Sequence, residues 1–455
     1  MCYNYPSMKN ENKMENIVSL AKRRGFIYAG SDIYGGLSGT WDYGPLGLAL
    51  KKNIMKLWWQ HFVDNRDDMY GVDAAILMNQ KVWQASGHVD TFNDPLVEDL
   101  VTKQRYRADH ILKDAGFDVN GLSLAELTKL IKENNVKSPA GNELSEARTF
   151  NMMFSTTVGP VASDAAVSYL RPETAQGIFT NYKNIVDSFY PDIPFGIAQQ
   201  GKAFRNEISP RDYIFRSREF EQMEIEYFVD PAHWEESFEH WRGQVWLWLQ
   251  ALGLPDSSIH EYEVPAEDRA HYSKRTIDFE FDFPIGKEEL LGLAYRTDFD
   301  LGNIQRVSGK SMEYTIKGTN TKFVPHVIEP SFGVERAVMA VLSTAYSEDE
   351  VNGEKRIVMK FPENLAPIRY AVSPLVRNKP ELVAKAREVY NTVKSKYGAV
   401  MWDDNGNIGK RYRRQDEIGT PYCIVVDFET LEGDGTVTIR NRDTTEQRRI
   451  AVQDI

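Results

Sequence analysis

Apolar residues recur every three or four positions at Leu46, Leu50, Ile54, Leu57, Trp58 and Phe62, which predicts one long helix opening at Gly44-Pro45. Proline suits a first helical turn, where its missing N–H has no partner to lose. A shorter helix is predicted over Met14 to Arg24, and Gly35-Gly36-Leu37-Ser38-Gly39 breaks regular structure between the two. From Pro95 to Gly159 the pattern reads as a mainly helical insertion. Ser123-Leu-Ala-Glu126 has the form of a capping box, and ENNVKSPAGNE beyond it reads as a loop. The texture then changes. Phe195 to Phe204 and Phe220 to Val229 are candidate strands joined by the Arg-rich loop Arg205 to Arg218, a long hairpin with charge at its tip. A Trp-rich helix (Trp234 to Leu252), a strand (Arg275 to Phe283) and a helix (Ser331 to Ala345) follow.

Pro362 and ENLAPIRYAV mark a boundary, giving a body of residues 1–361, with its insertion at about 95–160, and a tail of residues 362–455. In the tail, apolar runs (Ile368 to Val372, Ala399 to Trp402, Tyr422 to Phe428) alternate with a helix (Pro380 to Tyr397), the pattern of a small α/β domain. The body, with its hairpins and clustered strands, predicts an antiparallel sheet flanked by helices, an α+β class.

Composition narrows the function. With 42% hydrophobic and 26% charged residues over 455 positions, a largely disordered or fibrous chain is excluded. No apolar stretch approaches the ~20 residues of a membrane helix, and the polar start MCYNYPSMKNENKMEN has no secretory h-region. Two cysteines, Cys2 and Cys423, make neither a disulfide framework nor a four-thiolate zinc site, so a cytoplasmic setting is expected. The net charge of −12 argues against a protein that coats nucleic acid. The charge is uneven: Leu365 to Ile455 holds 15 Lys and Arg against 13 Asp and Glu, the remainder 39 against 53. A polyanion touched at one end would suit that asymmetry.

The strand around REFEQMEIEYFV divides by its period of two. Met223, Ile225, Tyr227 and Val229 make a core face; Arg218, Phe220, Gln222, Glu224 and Glu226 share the other. That second face is either solvated or a site with a stacking platform at Phe220. Arg205, Arg211, Arg216 and Arg218 cluster beside it, and no Gly-rich phosphate loop is present. If a nucleotide binds, guanidinium forks must hold its phosphates; carboxylate pairing on the surface is the competing role. Arg336 in Glu329-Pro-Ser-Phe-Gly333-Val-Glu-Arg336 lies off its helix's apolar stripe. Glu173 sits in a turn between Pro172 and Gly177, and Glu288-Glu289 and Arg296 flank GLAY. There is no Ser-His-Asp pattern, HExxH or close His/Cys cluster, so hydrolase and transition-metal readings lack support.

Together these segments resemble the class II aminoacyl-tRNA synthetases and, within them, the homodimeric glycyl-tRNA synthetase family. The helix after WDYGPLG resembles motif 1; FRNE with RDYIFRSREFEQMEIE resembles motif 2; EPSFGVER resembles motif 3. YLRPETAQGIF, YRADH, RTDFDLG and KRYRRQDEIGTP extend the similarity over nearly the whole chain. The stretch MYGVDAAILMNQKVW lacks the proline that usually closes motif 1, and VEDLVTKQRYRADH lacks the cysteine pair of some relatives, so no zinc is expected.

The resemblance implies a catalytic antiparallel sheet, a C-terminal anticodon-binding domain, and a homodimer with glycine, ATP and tRNA(Gly) as partners. It implies formation of glycyl-adenylate followed by transfer to the 3′ end of tRNA. By the same resemblance, Arg205 contacts the α-phosphate, Phe220 and Arg336 sandwich adenine, Glu207 holds its amino group and Arg216 the outer phosphates. Asn206, Phe215, Leu290 and Gly333 complete the ATP set, and Glu289 helps hold Mg²⁺, a hard cation. Glu173, Glu224 and Glu329 surround the glycine ammonium, with Phe220, Gln222 and Ser331 alongside. Arg107 and Arg296 balance that charge and orient the carboxylate. Alanine is rejected by clash, and no editing domain is expected.

Overall fold

The computed structural model describes residues 8–119, 121–160, 167–351, 353–433 and 435–455; Cys2 lies outside them. The alternating segments form a seven-stranded sheet. Its strands are β1 (Met69–Gly71), β2 (Phe195–Phe204), β3 (Glu219–Val229), β4 (Ile259–Glu263), β5 (Arg275–Phe283), β6 (Gly286–Thr297) and β7 (His326–Gly333). Their spatial order is β4-β5-β6-β7-β3-β2-β1. Neighbours are antiparallel except β1, which runs parallel to β2.

Both faces of this sheet are covered. On one lie α1 (Met8–Arg24), α2 (Pro45–Trp59), α4 (Trp234–Ala251) and α6 (Val334–Ala345); on the other lies α3 (Ala175–Phe189), with α5 (Phe299–Ser308) beside it. The first face holds the main core, where Met223, Ile225, Tyr227 and Val229 of β3 meet Trp58, Phe62, Trp241 and Trp248. Phe332 of β7 contacts the rings of Trp58, Phe62 and Trp248. On the second face, Phe179 and Tyr182 of α3 pack on Phe195 and Phe228. Burying the second face is what turns the carboxyls of β3 into interior groups.

Local signals hold at several ends. Gly44 caps α2 with Pro45 at its first position, and the Ser123–Glu126 capping box is formed in both directions. Two boundaries move. Helix α1 starts at Met8 rather than Met14, and α6 starts at Val334 rather than Ser331. Residues 331–333 remain strand because β7 pairs there with both β3 and β6, and two ladders outweigh an extra helical turn. The insertion carries its two helices, Ala108–Asp114 and Leu124–Glu133, and adds a three-stranded sheet of Asn93–Glu98, Arg105–Arg107 and Arg148–Asn151.

The tail forms a five-stranded sheet of β8 (Tyr370–Pro374), β9 (Val400–Trp402), β10 (Tyr422–Val426), β11 (Thr436–Asn441) and β12 (Gln447–Ala451), in the order β9-β8-β10-β11-β12. Helices α7 (Pro380–Tyr397) and α8 (Ile408–Ile418) and a short helix, Phe428–Glu432, accompany it, and its own core centres on Val372, Leu382, Val389 and Ile424. Polar contacts join tail to body: Arg442 donates to Phe361 O, and Arg24 pairs with Glu417 at 2.5 Å. Among the described residues no helix is long and apolar enough to cross a membrane.

Candidate active site

Two adjoining cavities open on the α3 side of the sheet, of about 410 and 290 Å³. The larger is walled by Arg107, Arg205, Glu207, Phe215, Arg216, Phe220, Leu290, Gly333 and Arg336, all expected at a site. The smaller is walled by Glu173, Glu224, Glu329, Gly292 and Ala294, with the segment Asp268–Tyr272 closing one side. Arg205, Gln222, Glu289 and Ser331 border both.

Sheet register explains the smaller cavity. Glu224 lies opposite Ser331 on β7, which in turn lies opposite Gly292 on β6. Partners across a ladder share a face, so Glu224, Ser331 and Gly292 line one row. Glu329 opposite Ala294 belongs to the next row. Glycine and alanine on β6 leave space above the sheet, and acids on β3 and β7 border it.

Each acid is anchored separately. Glu224 accepts from the Thr174 backbone N–H (2.9 Å) and hydroxyl (2.5 Å), Gln222 (3.0 Å) and Ser331 (2.8 Å). Glu329 accepts from Arg296 at 2.7 Å. Glu173 lies 3.3 Å from His88 Nε2 and accepts from Gln176, also at 3.3 Å. Arg296 is 1% exposed; it also grips Asp300 with two nitrogens and lies over the Tyr272 ring at 3.9 Å.

Burial and crowding set the charge state. Burial drives Glu329 up to about 8 with Glu224 and Glu173 adding to it, against the pull of Arg296. Glu224 is raised by burial and by Glu173. For Glu173, burial is overcome by His88, Arg296 and Arg205, which hold it down to about 2. Glu226 lies behind them, fully buried with both oxygens unpartnered among the described residues, and burial and Glu329 push its pKa well up. A cavity of mutually repelling carboxyls attracts a cation small enough to enter.

Two family models match the chain: "tRNA synthetase class II core domain (G, H, P, S and T)" over residues 161–345 and "Anticodon binding domain" over residues 370–455. A glycine–tRNA ligase of Clostridium acetobutylicum is 48% identical, with 98% of each chain covered. One from Deinococcus radiodurans is 47% identical over 97% of each chain, and one from Thermus thermophilus 45% identical over 98% of this chain and 97% of its own. The chain belongs to the glycine–tRNA ligase family. A solved Giardia lamblia prolyl-tRNA synthetase in complex with prolyl-adenylate aligns with a TM-score of 0.66 over 98% of this chain and 74% of its own; at 16% identity it supports the class II fold alone.

Within this family member most residues expected at the site border one cavity or both. Arg107 lines the larger cavity, bound to Asp94 and Asp109 (2.9 and 2.7 Å), apart from the three acids it was expected to balance. Arg296 borders neither cavity as lined; it lies behind the acidic one, paired with Asp300 and Glu329. Asn206 borders neither cavity; its backbone N–H donates to Met152 O. The aromatic under Arg336 is Phe215, 4.6 Å away, while Phe220 carries Arg205 at 5.3 Å. Arg336 also pairs with Glu289 at 3.0 Å.

Sequence reasoning passed over His88, Phe92, Thr174, Gln176, Tyr272 and Asp300. Phe92 and Tyr272 line the cavities, and the other four act on them through another residue. Asp300 carried a faint signal, falling four positions after Arg296 in RTDFDLG.

Proposed function

We propose that the chain activates glycine with ATP and transfers it to the 3′ end of tRNA(Gly). The observation that carries this reading is the shared wall at Arg205, with a small acidic cavity on one side and an Arg-rich one on the other. An ammonium seated among Glu173, Glu224 and Glu329 leaves the amino acid's carboxylate facing that wall. One carboxylate oxygen attacks the α-phosphorus of ATP, the bond to the bridging oxygen breaks, and pyrophosphate leaves. Arg205 neutralises the charge that grows on the α-phosphate, a fixed guanidinium in a desolvated place. The terminal ribose hydroxyl of tRNA then attacks the carbonyl carbon and AMP departs. Positioning supplies much of the rate.

Phe220 and Arg336 would take the adenine between them, Glu207 its amino group and Arg216 the outer phosphates. Phe215, Leu290, Gly333 and Asn206 would complete the nucleotide's surroundings. Arg107, at the larger cavity, would meet the activated intermediate rather than free glycine. Mg²⁺ fits as an ion brought by the phosphates: Glu289 is a half-exposed carboxylate, and burial with Glu289 and Glu280 pushes nearby Asp278 up to about 7, a repulsion a divalent cation relieves. Among the described residues no group of three or more His, Cys, Asp or Glu is placed to hold a metal unaided. Bound there, Mg²⁺ would neutralise phosphate charge.

We assign catalysis to residues 1–361 and reading of the tRNA anticodon to residues 362–455. A homodimer in the cytoplasm is proposed as the working form; exposed Ile33, Tyr34 and Leu37 offer apolar surface for a second copy. The deciding experiment is ATP–pyrophosphate exchange across the twenty amino acids. Glycine should exceed alanine and serine by about 10²-fold or more, since rejection of a larger side chain is steric. Equal or faster exchange with alanine, serine or threonine would make this a synthetase for another small amino acid. Binding of tRNA with no exchange at all would leave a binding protein.

A further inference from the structure

We propose that His88 is a positioning residue of the amino-acid cavity, holding the Glu173 carboxylate where it receives the substrate ammonium. The proposal rests on the glycine reading above and deepens it. Gly87 makes a left-handed turn (φ 83°) between the helices Gln80–Ala85 and His88–Thr91, where a residue with a Cβ is strained. That turn brings Ser86 Oγ to 2.8 Å from His88 Nδ1, and His88 Nε2 to 3.3 Å from Glu173 Oε2. Ser86 Oγ, which also lies 3.3 Å from Trp83 O, holds the ring at Nδ1, so the opposite nitrogen, Nε2, is the one that faces Glu173.

The ring is held on both sides, edge-on to Trp83 and tilted against Phe92, each with centroids 5.5 Å away. Phe92 also underlies the Arg205 guanidinium at 5.5 Å. One short segment therefore braces both the acidic wall and the arginine at the reacting phosphate. The ionisable groups that face the imidazole or its carboxylate from neighbouring elements are Glu173, His271, Arg296, Arg205 and Asp300, together with Glu224, Glu329 and Tyr272. Glu224 and Glu329 have their own donors, so loss of His88 leaves Glu173 with the 3.3 Å contact from Gln176 and leaves the other two acids in place.

The test uses the full chain in ATP–pyrophosphate exchange. His88→Ala should raise the glycine KM about tenfold while the ATP KM and kcat stay within about twofold. His88→Gln places an amide N–H where Nε2 was and should restore the glycine KM to within about threefold. His88→Asn ends near the Nδ1 position, falls short of Glu173, and should resemble alanine. In a Glu173→Gln background, His88→Ala should add little. The proposal is overturned if His88→Gln is no better than His88→Ala, if asparagine rescues as well as glutamine, or if kcat and both KM values move together. Should His88→Ala fail to fold, the glutamine–asparagine pair decides alone. Failure of the wild-type chain to exchange with glycine would sink the glycine reading and this assignment with it; normal exchange with an unchanged KM in His88→Ala sinks this assignment alone.

Discussion

The two cavities share one wall and differ in almost everything else. The larger is lined by Arg107, Arg205, Arg216 and Arg336, and Arg336 keeps about a quarter of its side chain exposed. The smaller is built from acids that are 2–8% exposed and tied down one by one. Exposed guanidiniums can follow a flexible polyanion and hold it by many weak contacts. Desolvated carboxyls cannot move, and each unsatisfied charge is costly, so they discriminate. The Arg-lined cavity is suited to grip, the acidic one to selection.

The largest expected effect falls where the two meet. Arg205→Ala should lower glycine-dependent exchange by about 10²–10³-fold with an unchanged circular dichroism spectrum; near-normal exchange would remove Arg205 from the reaction. Glu224→Gln should divide the cavities: the glycine KM rises about 30-fold, as for loss of a charged hydrogen bond of ~2 kcal/mol, and the ATP KM changes less than twofold. Equal rises would erase the distinction.

The acidic cavity should also respond to pH. Glu329 is pushed up to about 8, so below that pH it holds a proton in the empty site. An ammonium favours the ionised carboxyl, so binding releases the proton. The glycine KM should fall by up to about tenfold per unit as pH rises from 6.5 to 8, then level off. Glu329→Gln should flatten that slope, read from exchange kinetics across the range. The smallest effect lies far from both cavities. Arg24→Ala breaks the contact to Glu417 between body and tail and should cost about 1 kcal/mol in a denaturant titration with exchange unchanged.

The element pattern of the body and tail was legible because periods of two and 3.6 are local properties of the chain. Strands β2 and β5 and helix α7 carry the expected ends. The start of α6 shifted for a non-local reason: Ser331 reads as a helix start until two neighbouring strands pair with it. The site was legible to the extent that its residues lie on motifs. Phe220, Gln222 and Glu224 declared themselves by sharing one face of a strand that also bears a core face. Whether that face was solvated was not legible, because α3, which covers it, is some 40 residues away in the chain.

By itself the sequence determined which side chains alternate on β3, which arginines crowd the hairpin loop, and that no phosphate loop of glycine is available. Tertiary structure decided which charges are free. Along the chain Arg296 and Arg107 are simply cations; only the fold places Asp300 with Glu329 around the one and Asp94 with Asp109 around the other. A charge is defined by its surroundings as much as by its residue type, and those surroundings come from segments that meet only when the chain has folded.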